Sequence, residues 1–279
     1  MMIDAHHHLW RYQASEYGWI DGSMSVLKGD YLPEDLEPEL KGAGVSGTVV
    51  VQARQSLEET RWLLKLAEEH SFIRGVVGWL DLRSPDLDMQ LKEFASHSKL
   101  VGVRHVIHDE PDDEFMLYPG FRKGIARLEA HGLCYDLLLF PRHLEGARVL
   151  VESLPAQRFV LDHLGKPEIK KGLLEPWSGD LKALAAFPNV WCKLSGMVTE
   201  ADWRSWTYAD LLPYMEMVLE LFGPDRILVG SDWPVCRLAG EYSKVMQIVP
   251  EFIASLSLAD QEKILFQNAI ECYQLKNES

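Results

Sequence analysis

The 279-residue sequence predicts a single α/β domain over residues 1–279, a (β/α)8 TIM barrel with an extra C-terminal helix. Three observations lead there. Short apolar runs alternate eight times with longer amphipathic ones, which implies parallel strands joined by right-handed helical crossovers. No Gly-rich phosphate loop follows the first run, as an open dinucleotide-binding sheet would carry. Polar residues gather where the apolar runs end, the face on which barrel enzymes keep their chemistry.

The strand-like runs are Met2–His8, Thr48–Gln52, Ile73–Leu80, Leu100–Ile107, Leu133–Leu139, Arg158–Asp162, Val190–Leu194 and Arg226–Gly230. Most are rich in Val, Ile and Leu without strict polar alternation, as strands covered on both faces should be. Helical spacing is expected over Glu34–Gly42, Leu57–His70, Asp86–Ser96, Gly120–His131, Pro141–Ser153, Leu181–Phe187, Tyr208–Phe222 and Tyr242–Ser255. Ser56 fits an N-cap, and Pro141 sits early in its helix, where a missing amide hydrogen does little harm. The additional helix, about Leu258–Tyr273, should pack outside the barrel or close its bottom. Segments 9–33 and 108–119 are the long connections and candidate lids or substrate walls.

The formal net charge of −14 argues against nucleic-acid or anionic-membrane partners, both of which need a basic face. No run approaches ~20 apolar residues, so no membrane span is expected. The start of the chain has no basic stretch followed by an apolar run, so no signal peptide is expected either. Cys134, Cys192, Cys236 and Cys272 share no metal-type spacing; buried free thiols in a reducing cytoplasm account for them.

Asp4-Ala5-His6-His7-His8 closes the first run. Strand alternation should turn Asp4, His6 and His8 one way and His7 the other. Two imidazoles so spaced can hold one metal ion or one polarised oxygen. The sixth run ends in Asp162-His163, and a lone histidine there is as often a satisfied polar residue as a functional one. The eighth ends in Gly230-Ser231-Asp232-Trp233-Pro234, where Asp232 could ligate a metal, take a proton from water, or cap a helix. Arg104 could grip a carboxylate or vicinal hydroxyls. For Arg104, His105, Tyr135-Asp136 and Lys193, structural ion pairing serves equally well.

Together, Ile3-Asp4-Ala5-His6-His7-His8-Leu9-Trp10, Gly102-Val103-Arg104-His105, Leu161-Asp162-His163-Leu164-Gly165-Lys166-Pro167, Cys192-Lys193-Leu194-Ser195-Gly196 and Gly230-Ser231-Asp232-Trp233-Pro234 resemble the amidohydrolase superfamily. Within it the resemblance is to the amidohydrolase-2 branch, with its L-fucono- and L-rhamnono-lactone hydrolases. It implies a lactonase whose centre is His6, His8, His163 and Asp232. It also implies either one divalent ion, zinc first, on those residues or metal-free polarisation by the three histidines. The bridging lysine or glutamate of two-metal relatives has no clear equivalent.

Asp232 and His163 are then the catalytic candidates. Arg104, His105, Tyr135, Lys166 and Trp10 are the substrate-binding candidates, Trp10 offering a flat apolar face to a sugar ring. A small-molecule lactone is the expected partner, with a cytoplasmic setting and a homo-oligomer as further expectations. The alternatives are a dicarboxylate-lactone hydrolase or decarboxylase on the same scaffold, and a catalytically inactive binding barrel. His108 and His143 lie near strand ends without an assigned role.

Overall fold

The computed structural model describes residues 1–276. Eight strands form one parallel sheet whose neighbours follow chain order: β1 Ile3–His7, β2 Gly47–Val51, β3 Ile73–Gly78, β4 Leu100–Val106, β5 Cys134–Leu138, β6 Phe159–Leu161, β7 Val190–Leu194 and β8 Ile227–Val229. The sheet closes on itself just past β8. There Asp232 N donates to His6 O at 2.8 Å and His8 N to Trp233 O at 2.6 Å, making a parallel bridge between His7 and Trp233. This is the expected (β/α)8 barrel, with all eight strands where the sequence puts them.

Helices α1 (Pro33–Ala43), α2 (Leu57–Glu69), α3 (Leu87–Phe94), α4 (Pro119–Ile125), α5 (Leu144–Glu152), α6 (Trp177–Ala185), α7 (Met197–Glu200), α8 (Tyr208–Phe222) and α9 (Tyr242–Phe252) connect the strands and follow the last of them. Ser56 caps α2 by accepting from Glu59 N. Two helical expectations need correction, and one short helix was not among them. The stretch 120–131 breaks after Ile125 and finishes as a single 3-10 turn, Glu129–His131. Pro141–His143 is likewise a 3-10 turn leading into α5. The short α7, directly after β7, has too few residues for a periodic signal.

The terminal helix divides into α10 (Leu258–Glu262), a π turn at Lys263–Gln267, and α11 (Asn268–Tyr273). Its apolar face closes the bottom. Ala269, Cys272, Tyr273 and Leu275 cluster with the interior residues Ile3, Ala5, Val49, Val51, Val77, Cys134, Val160 and Leu228. Each such buried apolar side chain contributes roughly 1.5–3 kcal/mol when large, so the plug is part of the core. A second, larger core lies between strands and helices. All four cysteines are buried free thiols. Among the described residues, no helix is long and apolar enough to cross a membrane.

Candidate active site

His6, His8, His163 and Asp232 meet at the C-terminal mouth. His6 Nε2 lies 3.3 Å from His8 Nε2. Asp232 Oδ1 lies 3.4 Å from His8 Nε2 and 3.9 Å from both His6 Nε2 and His163 Nε2. All four side chains are buried. Asp4 does not join them, because the pairing of β1 with β2 slips by one residue between Asp4 and His7, a bulge that re-aims the side chains beyond it. Asp4 instead accepts from Ser231 N at 2.9 Å, from the Ser231 hydroxyl at 2.6 Å and from Tyr242 of α9 at 3.0 Å, bracing the β1–β8 seam.

The second ring nitrogen of each histidine is held from behind. His8 Nδ1 donates to the Val51 carbonyl at 2.8 Å, which leaves Nε2 with a free lone pair toward the centre. His163 Nδ1 is hydrogen-bonded to the Ser195 hydroxyl at 2.8 Å. His6 Nδ1 faces Asp162 Oδ1 and Lys193 Nζ, each at 3.2 Å. Burial, only partly offset by nearby carboxylates, lowers His6 well below the usual histidine value and His163 to about 4. Both rings are therefore neutral near pH 7. Burial alone would raise the Asp232 carboxyl; His163 and the His8 contact outweigh it and hold the group low, so it is ionised.

Two backbone features aim these groups. Asp232 (φ 58°) and the whole turn His163, Leu164, Gly165 and Lys166 (φ 54°, 56°, 73° and 52°) are left-handed. Each non-glycine residue so held costs about 1–3 kcal/mol, a strain that recurs at functional sites. The turn sends His163 and Lys166 into one cavity. Gly196, also left-handed at φ 62°, gives the His163 ring its place: a Cβ there would stand 2.6 Å from Nδ1.

Neutral imidazole nitrogens and a carboxylate 3.3–3.9 Å apart fit one divalent ion. Bonds of about 2.0–2.1 Å at tetrahedral angles separate ligand atoms by roughly 3.3 Å. The three atoms of His6, His8 and Asp232 lie within 4.8 Å of one another, as do those of His6, Asp162 and His163. In the second set Asp162 is committed elsewhere. It pairs with Arg104 at 3.0 Å and with Lys193 at 2.9 Å, and Lys193 also donates to Asp136 at 2.7 Å. Tyr273 of α11 donates to Asp136 at 2.7 Å. Burial pushes the Asp136 carboxyl up to about 6 despite Lys193. For Lys193 the two carboxylates reverse the effect of burial and raise it, so it stays charged.

Above this floor lies a cavity of about 260 Å3, at the small end for ligand sites. Arg104 and Lys166 line it together with His8, His163 and Asp232, while Trp19, Met24, Leu138, Trp203 and Leu238 supply an apolar wall. Three substrate-binding candidates lie elsewhere. His105 faces away from Arg104 by strand alternation; it bonds to Glu110 at 2.6 Å and stacks on Phe115. Tyr135 turns outward between Phe121 and Phe159. Trp10 is fully buried behind His8, its indole donating to Gly29 O at 2.9 Å. His108 does line the cavity, bonded to Asp109 at 2.8 Å, whereas His143 is taken by Asp113 at 2.9 Å. The sequence reading left Asp162, Glu200, Trp19 and Trp203 without roles, and for Lys193 it left ion pairing and substrate contact open; the structure shows ion pairing. A lysine inside the apolar run Val190–Leu194 was a usable signal for the buried ion network.

Comparison with known proteins agrees with this geometry. The amidohydrolase family model matches residues 3–275. The L-fucono-1,5-lactonase of Burkholderia multivorans is 41% identical over 286 residues, covering 99% of this chain and 96% of that one. The L-fucono-1,5-lactonase of Burkholderia ambifaria is 41% identical over 86% of this chain and 82% of its own. A crystal structure of a B. multivorans amidohydrolase with bound zinc superposes with a TM-score of 0.96 at 39% identity, covering 99% and 100% of the two chains. The fold and site thus define a barrel hydrolase. The chain belongs to the amidohydrolase family, in its amidohydrolase-2 branch.

Proposed function

We propose that this enzyme opens the ring ester of a small, uncharged sugar-acid lactone of the L-fucono- or L-rhamnono-lactone type. One observation carries the reading: an ionised carboxylate, Asp232 Oδ1, faces three imidazole Nε2 atoms at 3.4–3.9 Å at the foot of a small cavity. The names and similarity of the lactonase relatives support it.

Asp232 takes a proton from water as the water oxygen bonds to the lactone carbonyl carbon. His163, at the cavity, hydrogen-bonds the tetrahedral oxyanion. The ring C–O bond then breaks, and Asp232 returns its proton to the departing alkoxide, leaving a hydroxy acid. His6, His8 and Asp232 would hold a divalent ion, zinc first, and His163 would either complete the set or keep its place at the oxyanion. Such an ion supplies Lewis-acid polarisation and a lower pKa for water.

Asp232→Asn removes the proton acceptor. Turnover of aldonolactones, followed with a pH indicator, should fall about a hundredfold or more while the circular-dichroism spectrum is unchanged. Near-normal rates would remove Asp232 from the chemistry. The same lactone panel run after chelation, and again with zinc or manganese restored, tests the ion: loss and recovery of activity are expected.

A further inference from the structure

We infer that Glu200 sets the charge class of the substrate: by holding Lys166, it makes the cavity select an uncharged lactone over one bearing a carboxylate. The inference rests on the lactonase reading above and says which lactones that site takes.

Two cationic side chains line the cavity, Arg104 and Lys166. Arg104 is committed inward, to Asp162 Oδ2 at 3.0 Å and Gln52 Oε1 at 2.8 Å. Lys166 Nζ donates to Glu200 Oε1 at 2.7 Å. Their side chains are 20% and 21% exposed, so the pair stands at the cavity edge, open to a ligand yet partly withdrawn from water. The left-handed turn fixes the Lys166 backbone. Glu200 ends α7, whose Thr199 hydroxyl donates back to Gly196 O at 2.7 Å.

Asp109, Glu200 and Asp232 are the carboxylates of the same lining. A carboxylate-bearing ligand therefore meets two cations already paired and three like charges. An uncharged polyol meets the opposite situation: Lys166 can donate to one hydroxyl while Glu200 accepts from its neighbour, and the ion pair bridges a vicinal diol without losing its own contact. Selectivity of this kind comes from the repulsive group as much as from the attractive one.

Glu200→Gln keeps the side-chain size, removes one negative charge and frees the ammonium. The measurement is kcat/KM for an aldonolactone against that for an aldarolactone of equal ring size carrying a terminal carboxylate. Wild type should prefer the uncharged ring. Glu200→Gln should shift the ratio toward the anionic ring by about tenfold or more, mostly through KM of the anionic substrate. The double variant Glu200→Gln, Lys166→Met should lose that shift. An unchanged ratio in folded Glu200→Gln, or a wild type that takes both rings equally, overturns the inference while leaving the lactonase reading intact. If wild type opens neither ring, the lactonase reading fails. Calorimetric titration with the free aldarate dianion then decides charge selection alone: tighter binding by the variant supports it, equal binding overturns it.

Discussion

Beneath His6, four charged side chains are almost entirely out of water: Asp136, Lys193 and Asp162 are fully buried, and Arg104 is 4% exposed. At the rim, Lys166 and Glu200 each keep about a fifth of their side chains exposed, and Arg54 pairs with Glu16 at 24% and 36%. The contrast separates two tasks. Two cations and two carboxylates in the floor cancel without help from solvent, and breaking one member leaves a charge with nowhere to go. The rim pairs are wet enough to exchange partners with a ligand. Rigidity is therefore assigned to the floor and selectivity to the rim, and substitutions in the two regions should fail in different ways.

The largest effect is expected from Lys193→Met. It withdraws the cation held between Asp136 and Asp162 at 2.7 and 2.9 Å. Leaving a buried carboxylate uncompensated costs about 3–5 kcal/mol, measurable by denaturant unfolding. The deficit should shrink as pH falls toward 6, because the Asp136 carboxyl, raised to about 6 by burial even with Lys193 holding it down, is higher still without that cation, takes up a proton and ceases to be a stranded charge. A loss under about 1 kcal/mol at neutral pH would show that the floor carries no electrostatic load.

How much of this was legible in the sequence follows the same division. The eight strands read correctly because short apolar runs such as Thr48–Gln52 and Val190–Leu194 alternate eight times with longer amphipathic stretches, as buried parallel strands and their crossovers do. His6, His8, His163 and Asp232 were found because strand ends in a barrel have one destination. The face of each strand was read less well. Arg104 and His105 are adjacent in β4, as are Tyr135 and Asp136 in β5, so only one of each pair can face inward; Arg104 and Asp136 do. The bulge in β1 breaks alternation where the reading relied on it, and sends Asp4 to the seam. Trp19, Trp203 and Glu200 lie outside the strands, where no periodicity places a side chain.

A smaller effect sharpens the rim side of the comparison. Glu59 is 1% exposed and accepts from Ala53 N at 3.0 Å and Arg54 N at 2.8 Å, tying down the chain where it leaves β2 for the cavity edge. Burial raises its carboxyl from 4.5 to about 7 against those hydrogen bonds. Between those values the folded protein keeps a proton that the unfolded chain has released. The contribution of Glu59 is thus greatest below pH 4.5 and declines as pH rises to 7. Glu59→Gln cannot titrate. The stability of wild type relative to Glu59→Gln should fall across that window by up to roughly 3 kcal/mol. A flat or rising difference would mean that burial does not govern this carboxyl.

The smallest effect is the most selective test of the floor. Tyr273→Phe removes only the hydroxyl that donates to Asp136 at 2.7 Å. The ring, packed in the interior cluster and 5.4 Å beneath the Lys193 ammonium, remains. Loss of one donor to a buried carboxylate that keeps its other partner should cost about 1–2 kcal/mol. Because Tyr273 touches neither the cavity nor the histidines, the preference between uncharged and anionic lactones should stay at its wild-type value. Glu200→Gln should show the reverse pattern, altered preference with little change in stability, since a partly exposed ion pair stabilises the fold by less than about 1 kcal/mol. If Tyr273→Phe shifts substrate preference as far as Glu200→Gln does, floor and rim are one coupled unit and the division of labour between them is wrong.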